Sequence, residues 1–222
     1  MADITELAVL PATDQPFDIL YQDEQLLVVS KPAKLLTVPG RHPANKDCLI
    51  SRVQREWPGA TVVHRLDYDT SGIVLLPLTK RALSELSKQF QARTINKQYQ
   101  AVVAGLLANE QGDINLPITA DPANRPLYKI CDSGKPSLTY YQVLKRDDAH
   151  QQSRVLLTPV TGRSHQLRLH LQAIGHPILG DTLYGNQAVI AKAERLLLHA
   201  CSISFKHPLT AEQIDLSYPA EF

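Results

Sequence analysis

The sequence lacks the features that mark several large classes of protein. No stretch approaches the run of about 18 uncharged apolar residues that a membrane-spanning helix needs. The first residues, MADITELAVL, have no basic start before an apolar run, so we expect no secretory signal peptide. Charged residues make up 20% and hydrophobic residues 44% of the 222 residues, which excludes a disordered protein, a collagen and a coiled coil.

Signatures of metal and nucleotide binding are also missing. The three cysteines, Cys48, Cys131 and Cys201, are scattered, which is typical of a reducing cytoplasm rather than of a disulfide framework. The eight histidines form no HExxH or His-x-His pattern, and there is no GxxxxGK or GxGxxG loop. We therefore expect a cytoplasmic protein without a metal and without a nucleotide cofactor.

The net charge of +1 conceals an uneven distribution. Residues 1–30 contain six acidic residues and no basic one, whereas residues 31–222 contain 23 basic and 16 acidic residues, a net +7. A local surplus of cations can bind a polyanion such as RNA even when the whole chain is nearly neutral. Chance variation among solvated surfaces is the alternative, and the charge pattern alone does not separate the two.

Strand and helix signals alternate irregularly, which favours an α+β fold over a doubly wound α/β fold. An acidic arm over residues 1–18 precedes a hairpin predicted over 19–30. Further strands are predicted over residues 61–67, 73–78, 98–107, 139–144, 154–160 and 199–205. Helices are predicted over residues 48–57, 80–93, 165–174 and 187–197, with Thr79 and Ser164 as N-caps of the second and third.

The densest polar cluster is HRLDYDTSG, residues 64–72, which lies between two apolar runs. Functional side chains are commonly carried by loops on a rigid scaffold, so Asp67 is a candidate nucleophile or general base. Asp69, two residues later, leaves the choice of carboxylate open. An ordinary polar turn, which uses the same residue types, is the alternative.

Two further clusters carry cations. TGRSHQLRLH, residues 161–170, contains Arg163 and Arg168, which could hold phosphates or pair with a catalytic carboxylate. Lys97-Gln98-Tyr99 places an aromatic ring beside a cation, a combination that can stack on a nucleic-acid base. A solvated helix start and a core tyrosine are the respective structural alternatives.

Together these motifs resemble those of the RluA-type pseudouridine synthases. HRLDYDTSG is similar to the family signature HRLD-x-x-TSG, TGRSHQLRLH to its third motif, and Lys31-Pro32 and KQY occur in the expected order. The resemblance implies one catalytic domain over residues 19–222, with no additional N-terminal RNA-binding domain. It also implies a bisected, mainly antiparallel sheet with peripheral helices and a central active-site cleft.

The resemblance implies an enzyme that isomerises uridine in RNA to pseudouridine. Asp67 would be the catalytic carboxylate, Arg168 would pair with it and keep it ionised, and Tyr99 would pack against the flipped uracil. Arg65 would help to displace the base from its stack, and no cofactor is needed because substrate and product are isomers. Further RNA contacts are expected from His64, Thr70, Arg163, Gln166, Lys31, Arg41 and Lys97.

The compact form of the chain, with VPGR, NRP and GHPILGD, is most similar to members of this family that act on both 23S rRNA and tRNA. We therefore expect stem-loops of these RNAs as partners, and a monomeric enzyme. One departure is Lys34, which stands where the family usually has glycine. The backbone at this position must tolerate the angle that glycine supplies.

Two other functions remain as alternatives. One is an RNA-binding or RNA-folding protein without turnover. The other is a phosphotransferase of the haloacid-dehalogenase type, because Asp67-x-Asp69 resembles an aspartyl-nucleophile motif. That motif requires Thr or Val in the fifth place, where this chain has Ser71, and it requires magnesium.

Overall fold

The computed structural model describes residues 8–222, so the first part of the predicted acidic arm lies outside the described residues. The chain divides into two compact units. One comprises the chain up to Asn96 together with Ala200–Pro219, and the other comprises Lys97–His199 together with Ala220–Phe222. Among the described residues, no helix has the length and apolar character needed to cross a membrane.

The first unit is built on a sheet whose central strands are completely buried. Its strands, in spatial order, are β1 (Asp18–Gln22), β2 (Leu26–Lys31), β3 (Ser71–Pro77), the greater part of β10 (Leu198–Lys206) and β11 (Gln213–Ser217). Its helices are α1 (Leu49–Val53) and α2 (Lys80–Ala92). The pairs β1–β2, β2–β3 and β10–β11 are antiparallel. One buried cluster, which includes Val28, Leu75, Leu86 and Phe205, joins this sheet to α2.

The second unit is built on four antiparallel strands and has its own core. Its strands, in spatial order, are β4 (Asn96–Ala104), β9 (Gln152–Pro159), β8 (Leu138–Asp147) and β5 (Gln111–Asn115), and each neighbouring pair is antiparallel. A separate ribbon consists of β6 (Ile118–Ala120) and β7 (Tyr128–Ile130), and the helices are α3 (Gln166–Ala173) and α4 (Gln187–Ile190). Leu167 and Leu171, one helical turn apart on α3, are buried in the same cluster as Val103 and Leu157.

The structure confirms the predicted α+β class and the mainly antiparallel sheet, but it corrects four local predictions. The helix predicted over 48–57 ends at Val53. Residues 61–67 form no strand. The N-cap of α3 is His165 and not Ser164, and its backbone is left-handed with φ 56° and without a side-chain cap. The helix predicted over 187–197 ends at Ile190. By contrast, Thr79 caps α2 as predicted, because its hydroxyl accepts a hydrogen bond from the Ala82 amide at 3.1 Å.

Lys34 adopts the backbone angle that was expected of glycine. Its φ is 56°, in the left-handed region, and its side chain is exposed. Two main-chain hydrogen bonds hold the peptide group that follows the Lys34 Cα atom: the Lys34 carbonyl accepts from the Thr13 amide, and the Leu35 amide donates to the Tyr68 carbonyl at 3.2 Å. The loop therefore keeps a conformation that is strained for a residue with a Cβ atom.

We expect Lys34→Gly to stabilise the first unit. Relief of the left-handed strain, partly offset by the greater freedom of glycine in the unfolded chain, should raise the free energy of unfolding by about 0.5–1 kcal/mol. Urea denaturation of both proteins measures this difference. Lys34→Ala is the control, since it removes the charge but keeps the Cβ atom, and equal stabilisation by both variants would contradict the backbone explanation.

Candidate active site

A buried hydroxyl holds the loop of residues 64–70 just before Asp67. Thr37, which is 2% exposed, donates from Oγ1 to the Leu66 carbonyl at 2.9 Å and accepts from the Leu66 amide at 3.1 Å. The Leu66 side chain is itself buried in the first unit. One side chain thus satisfies both main-chain groups of the residue that precedes Asp67, in a segment that has no strand partner for them.

A buried ammonium group holds the same loop just after Asp67. The side chain of Lys31, at the end of β2, is fully buried, and its Nζ donates to the carbonyls of Pro32 (2.9 Å), Leu35 (2.7 Å) and Tyr68 (3.3 Å). Lys31 was expected to bind RNA, but this environment leaves its ammonium group no surface for a phosphate. Its position instead fixes the main chain on the C-terminal side of Asp67.

Lys31 also lies in the electrostatic field of the loop carboxylates. Burial lowers the pKa of Lys31 to about 7, and the negative charges of Asp67 and Asp69 oppose this shift. Both aspartates are half-buried, and the turn that carries them closes with a 3.2 Å hydrogen bond from the Thr70 amide to the Asp67 carbonyl. Thr70, another expected RNA contact, is 2% exposed and so forms part of the support of the loop.

The two residues at the start of the loop have different surroundings. The imidazole Nε2 of His64 accepts a hydrogen bond from the Leu75 amide at 2.9 Å, and its ring stacks on Phe90 with centroids 4.9 Å apart. His64 therefore anchors the loop to β3 and α2. Arg65 is exposed, as the predicted displacement of a base requires, and Arg41 is exposed in the loop that follows β2.

In the second unit, a buried amide fixes the start of α3. Gln166 accepts at Oε1 from the Thr161 hydroxyl (2.7 Å) and the Arg163 amide (3.0 Å), and it donates from Nε2 to the Leu138 carbonyl and the Thr139 hydroxyl, both at 3.0 Å. These bonds use all four hydrogen-bonding positions of the amide. Gln166, which was expected to contact RNA, is 3% exposed and supports α3 from within.

Arg168 forms a buried ion pair with a residue that the sequence analysis missed. Its Nε and Nη2 donate to Asp181 at 2.9 and 2.5 Å, and both side chains are almost completely buried. Asp181 ends the GHPILGD motif, yet nothing in the spacing of that motif indicates a partner on α3. The expected pairing of Arg168 with Asp67 stays a prediction.

The remaining candidates of the second unit surround the start of β4 and of α3. Tyr99 is half-buried and packs against the core cluster, and Lys97, two residues earlier on β4, lies on the same face of the strand. Burial lowers the pKa of Lys97. The guanidinium group of Arg163 lies 3.4–3.5 Å from the Pro136 carbonyl and remains partly exposed.

Comparison with known proteins gives the same family from two directions. Residues 25–173 match the family model described as RNA pseudouridylate synthase. The chain is 46% identical over 217 residues to the dual-specificity RNA pseudouridine synthase RluA of Pasteurella multocida, covering 97% of this chain and 99% of that protein. It is 49% identical over 205 residues to the protein of the same name from Yersinia pestis, covering 92% and 99%.

Solved structures agree with the sequence relatives. Human RNA pseudouridylate synthase domain containing 1 superimposes with a TM-score of 0.79 at 30% identity, covering 94% of this chain and 85% of that chain. Human RNA pseudouridylate synthase domain containing 4 has a TM-score of 0.71 at 23% identity, covering 91% and 88%. The pseudouridine synthase fold expected from the sequence is confirmed.

We expect the buried amine of Lys31 to give the protein a pH-dependent stability. Its native pKa of about 7 lies below the usual 10.5, so the stability linked to this group is present above pH 10.5 and is lost as the pH falls through 7. Between pH 7 and about 8.5, the free energy of unfolding should therefore rise by roughly 1–2 kcal/mol relative to Lys31→Met.

Denaturant titrations at several pH values measure this difference. Lys80→Met, which removes an exposed lysine at the start of α2, is the matched control and should show no such pH dependence. A wild-type minus Lys31→Met difference that stays constant across this window would contradict the assignment.

Proposed function

The chain belongs to the RNA pseudouridylate synthase family and is an RNA pseudouridine synthase, and from this premise we propose that it modifies uridines in stem-loops of both 23S rRNA and tRNA. Two observations support the double substrate. The relatives that share 46–49% of its residues over more than nine-tenths of the chain are named dual-specificity enzymes. The motifs VPGR, NRP and GHPILGD resemble those of the same group.

We propose that Asp67 is the catalytic carboxylate, because buried side chains hold the main chain of its loop in place. Thr37 and Lys31 fix the main chain before and after Asp67 through buried hydrogen bonds, while the carboxylate itself stays partly accessible. Correct orientation of a reacting group accounts for a large share of enzymatic rate acceleration, and it requires a rigid backbone. Asp69 lies in the same loop, but the two side chains Thr37 and Lys31 bond to the residues on either side of Asp67.

The reaction that this carboxylate serves exchanges one glycosidic bond for another. The bond between C1′ and N1 breaks, the uracil turns, and C1′ joins C5, while the hydrogen on C5 leaves as a proton and N1 gains one. A carboxylate can serve such a reaction as a nucleophile or as a base. Arg168 is proposed to keep Asp67 ionised, because a guanidinium group stays charged at any working pH. Tyr99 is proposed to pack against the extruded uracil.

RNA binding is proposed to rely on exposed cations. Extrusion of the target base costs a few kcal/mol, which Arg65 would offset by occupying the gap that the base leaves. The exposed cations of α2 and its C-cap would contact phosphates, which position an RNA without reading its sequence. These residues are Lys80, Arg81, Lys88 and Arg93.

The enzyme is further proposed to act as a monomer in the cytoplasm. One chain carries the whole proposed catalytic set, Asp67, Tyr99 and Arg168. Its three scattered cysteines suit a reducing compartment. Light scattering should report a mass near 24.7 kDa, and twice that mass would contradict the monomer.

We expect Asp67→Asn to abolish turnover. Loss of the carboxylate should slow tritium release from [5-³H]uridine in 23S rRNA fragments and in tRNA transcripts by at least about 1000-fold, with RNA affinity within about threefold of wild type. Asp69→Asn, the matched change in the same loop, should retain at least about a tenth of the activity. The opposite ranking of the two variants would contradict the assignment, and release from only one RNA class would contradict the double substrate.

Arg168→Ala should also abolish turnover while RNA binding changes only severalfold. The expected reason is that Arg168 stabilises the ionised carboxylate rather than contacting phosphate. Single-turnover tritium release and filter binding of the same RNA measure the two effects separately. Losses of equal size in rate and in affinity would show that Arg168 acts as an RNA contact.

A further inference from the structure

We propose that Asp181 and Tyr184 are positioning residues that hold the guanidinium group of Arg168 in its working orientation. The inference rests on the proposed catalytic role of Arg168. It concerns residues 180–185, a turn within the second unit, which supplies two different contacts to one guanidinium group. One contact acts in the plane of that group and the other on its face.

Asp181 fixes the Arg168 guanidinium group within the plane of that group. Its Oδ2 accepts from Nε of Arg168 at 2.9 Å and its Oδ1 accepts from Nη2 at 2.5 Å, with Asp181 0% and Arg168 2% exposed. Two parallel N–H···O bonds to one carboxylate fix both the position and the rotation of a guanidinium group. A single hydrogen bond would leave the group free to turn about the bond.

Asp181 is itself fixed by the turn that carries it. Its Oδ1 also accepts from the amides of Leu183 (2.9 Å) and Tyr184 (3.0 Å). The residue before it, Gly180, has φ +73°, and a Cβ atom there would lie 2.0 Å from the Arg195 carbonyl oxygen. The carboxylate therefore has little freedom to follow the arginine, so the turn imposes the geometry on Arg168 rather than the reverse.

Tyr184 limits motion in the perpendicular direction. The guanidinium carbon of Arg168 lies 5.5 Å from the centroid of the Tyr184 ring, within the range of a cation–π contact. The far end of the ring is also held, because its hydroxyl lies 2.7 Å from Nδ1 of His165 and accepts from the Tyr128 amide at 2.9 Å. The ring thus connects the turn to the residue that opens α3.

A stabilising role alone accounts poorly for this arrangement. Removal of two charges from water costs so much that a buried ion pair often stabilises a protein no more than apolar residues of similar volume. What the pair does supply is an arginine with one orientation and a locally balanced charge. A reaction that depends on the placement of a guanidinium group benefits from the fixed orientation.

The first test is steady-state kinetics of Asp181→Asn, which keeps the shape of the side chain and removes its charge. We expect kcat to fall at least about tenfold while KM stays within about threefold, since the lost interaction concerns orientation and not RNA binding. Glu110→Gln is the matched control, because it makes the same chemical change in the surface ion pair with Arg146. Its kcat should stay within about twofold of wild type.

The second test asks whether Asp181 acts through Arg168. Arg168→Lys keeps the charge but lacks the fork, and it should lower kcat by itself. In the Arg168→Lys background, Asp181→Asn should lower kcat by less than about threefold, because the guanidinium orientation that Asp181 maintains is already lost. If Asp181 had a purely structural role, the losses of kcat from the two substitutions would multiply in the double variant. That result would overturn the proposal.

A third comparison covers the case in which Asp181→Asn does not fold. Tyr184→Leu removes the ring beside Arg168, whereas Tyr184→Phe keeps the ring and removes only the hydroxyl. We expect the kcat of Tyr184→Leu to be at least about threefold below that of Tyr184→Phe, and equal values would overturn the proposal. If Arg168→Lys left kcat unchanged, the proposed role of Arg168 would fail and this inference with it. If only Arg168→Lys lowered kcat, the inference alone would fail.

Discussion

Two buried polar side chains, Thr37 and Lys31, hold the main chain on either side of Asp67, and the proposed chemistry depends on that hold. The loop has no strand partner, so without the Thr37 hydroxyl the amide and carbonyl of Leu66 would lose the hydrogen bonds that satisfy them. Leaving a buried donor or acceptor unpaired costs about 1–3 kcal/mol. The same bonds that satisfy the loop therefore restrict it to one conformation, in which the Asp67 carboxylate has a defined place.

In the second unit, different buried polar residues hold the candidate functional segments in one geometry. Gln166 uses all the hydrogen-bonding positions of its amide to fix the start of α3, and Asp181 forms an ion pair with Arg168. Each unit thus contains a buried cation close to the candidate functional residues of that unit. Lys31 is balanced by carbonyl dipoles and by the field of two aspartates, whereas Arg168 is balanced by a full carboxylate. Buried polar networks of this kind specify geometry more than they add stability.

The sequence contained enough information for the family, the α+β class and most of the strands, because the signature loop and the apolar runs are local patterns. It failed where the outcome depends on contacts between distant segments. Residues 61–67 have the composition of a strand, but Leu66 bonds to the hydroxyl of Thr37, 29 positions away in the chain. Ser164 has a good capping side chain, yet the left-handed backbone of His165 starts the helix.

The sequence also does not indicate which polar residues of the motifs are buried. Lys31, Thr70 and Gln166 belong to motifs of an RNA-binding enzyme, and polar residues in such motifs are easily interpreted as RNA contacts. All three are less than a tenth exposed and support the loops that carry the exposed residues. The role of Asp181 is not visible in the sequence for a related reason, since an aspartate after a glycine is typical of a turn and its partner lies 13 residues earlier on α3.

The single-turnover rate of uridine isomerisation in Thr37→Val tests most directly whether the buried hydroxyl of Thr37 positions Asp67. Valine has nearly the shape of threonine but cannot bond to either main-chain group of Leu66. We expect a rate at least about tenfold below wild type with unchanged RNA affinity, and recovery of most of the lost rate in Thr37→Ser, which restores the hydroxyl. A Thr37→Val enzyme that isomerises uridine at the wild-type rate would contradict the claim that the hold on this loop positions Asp67.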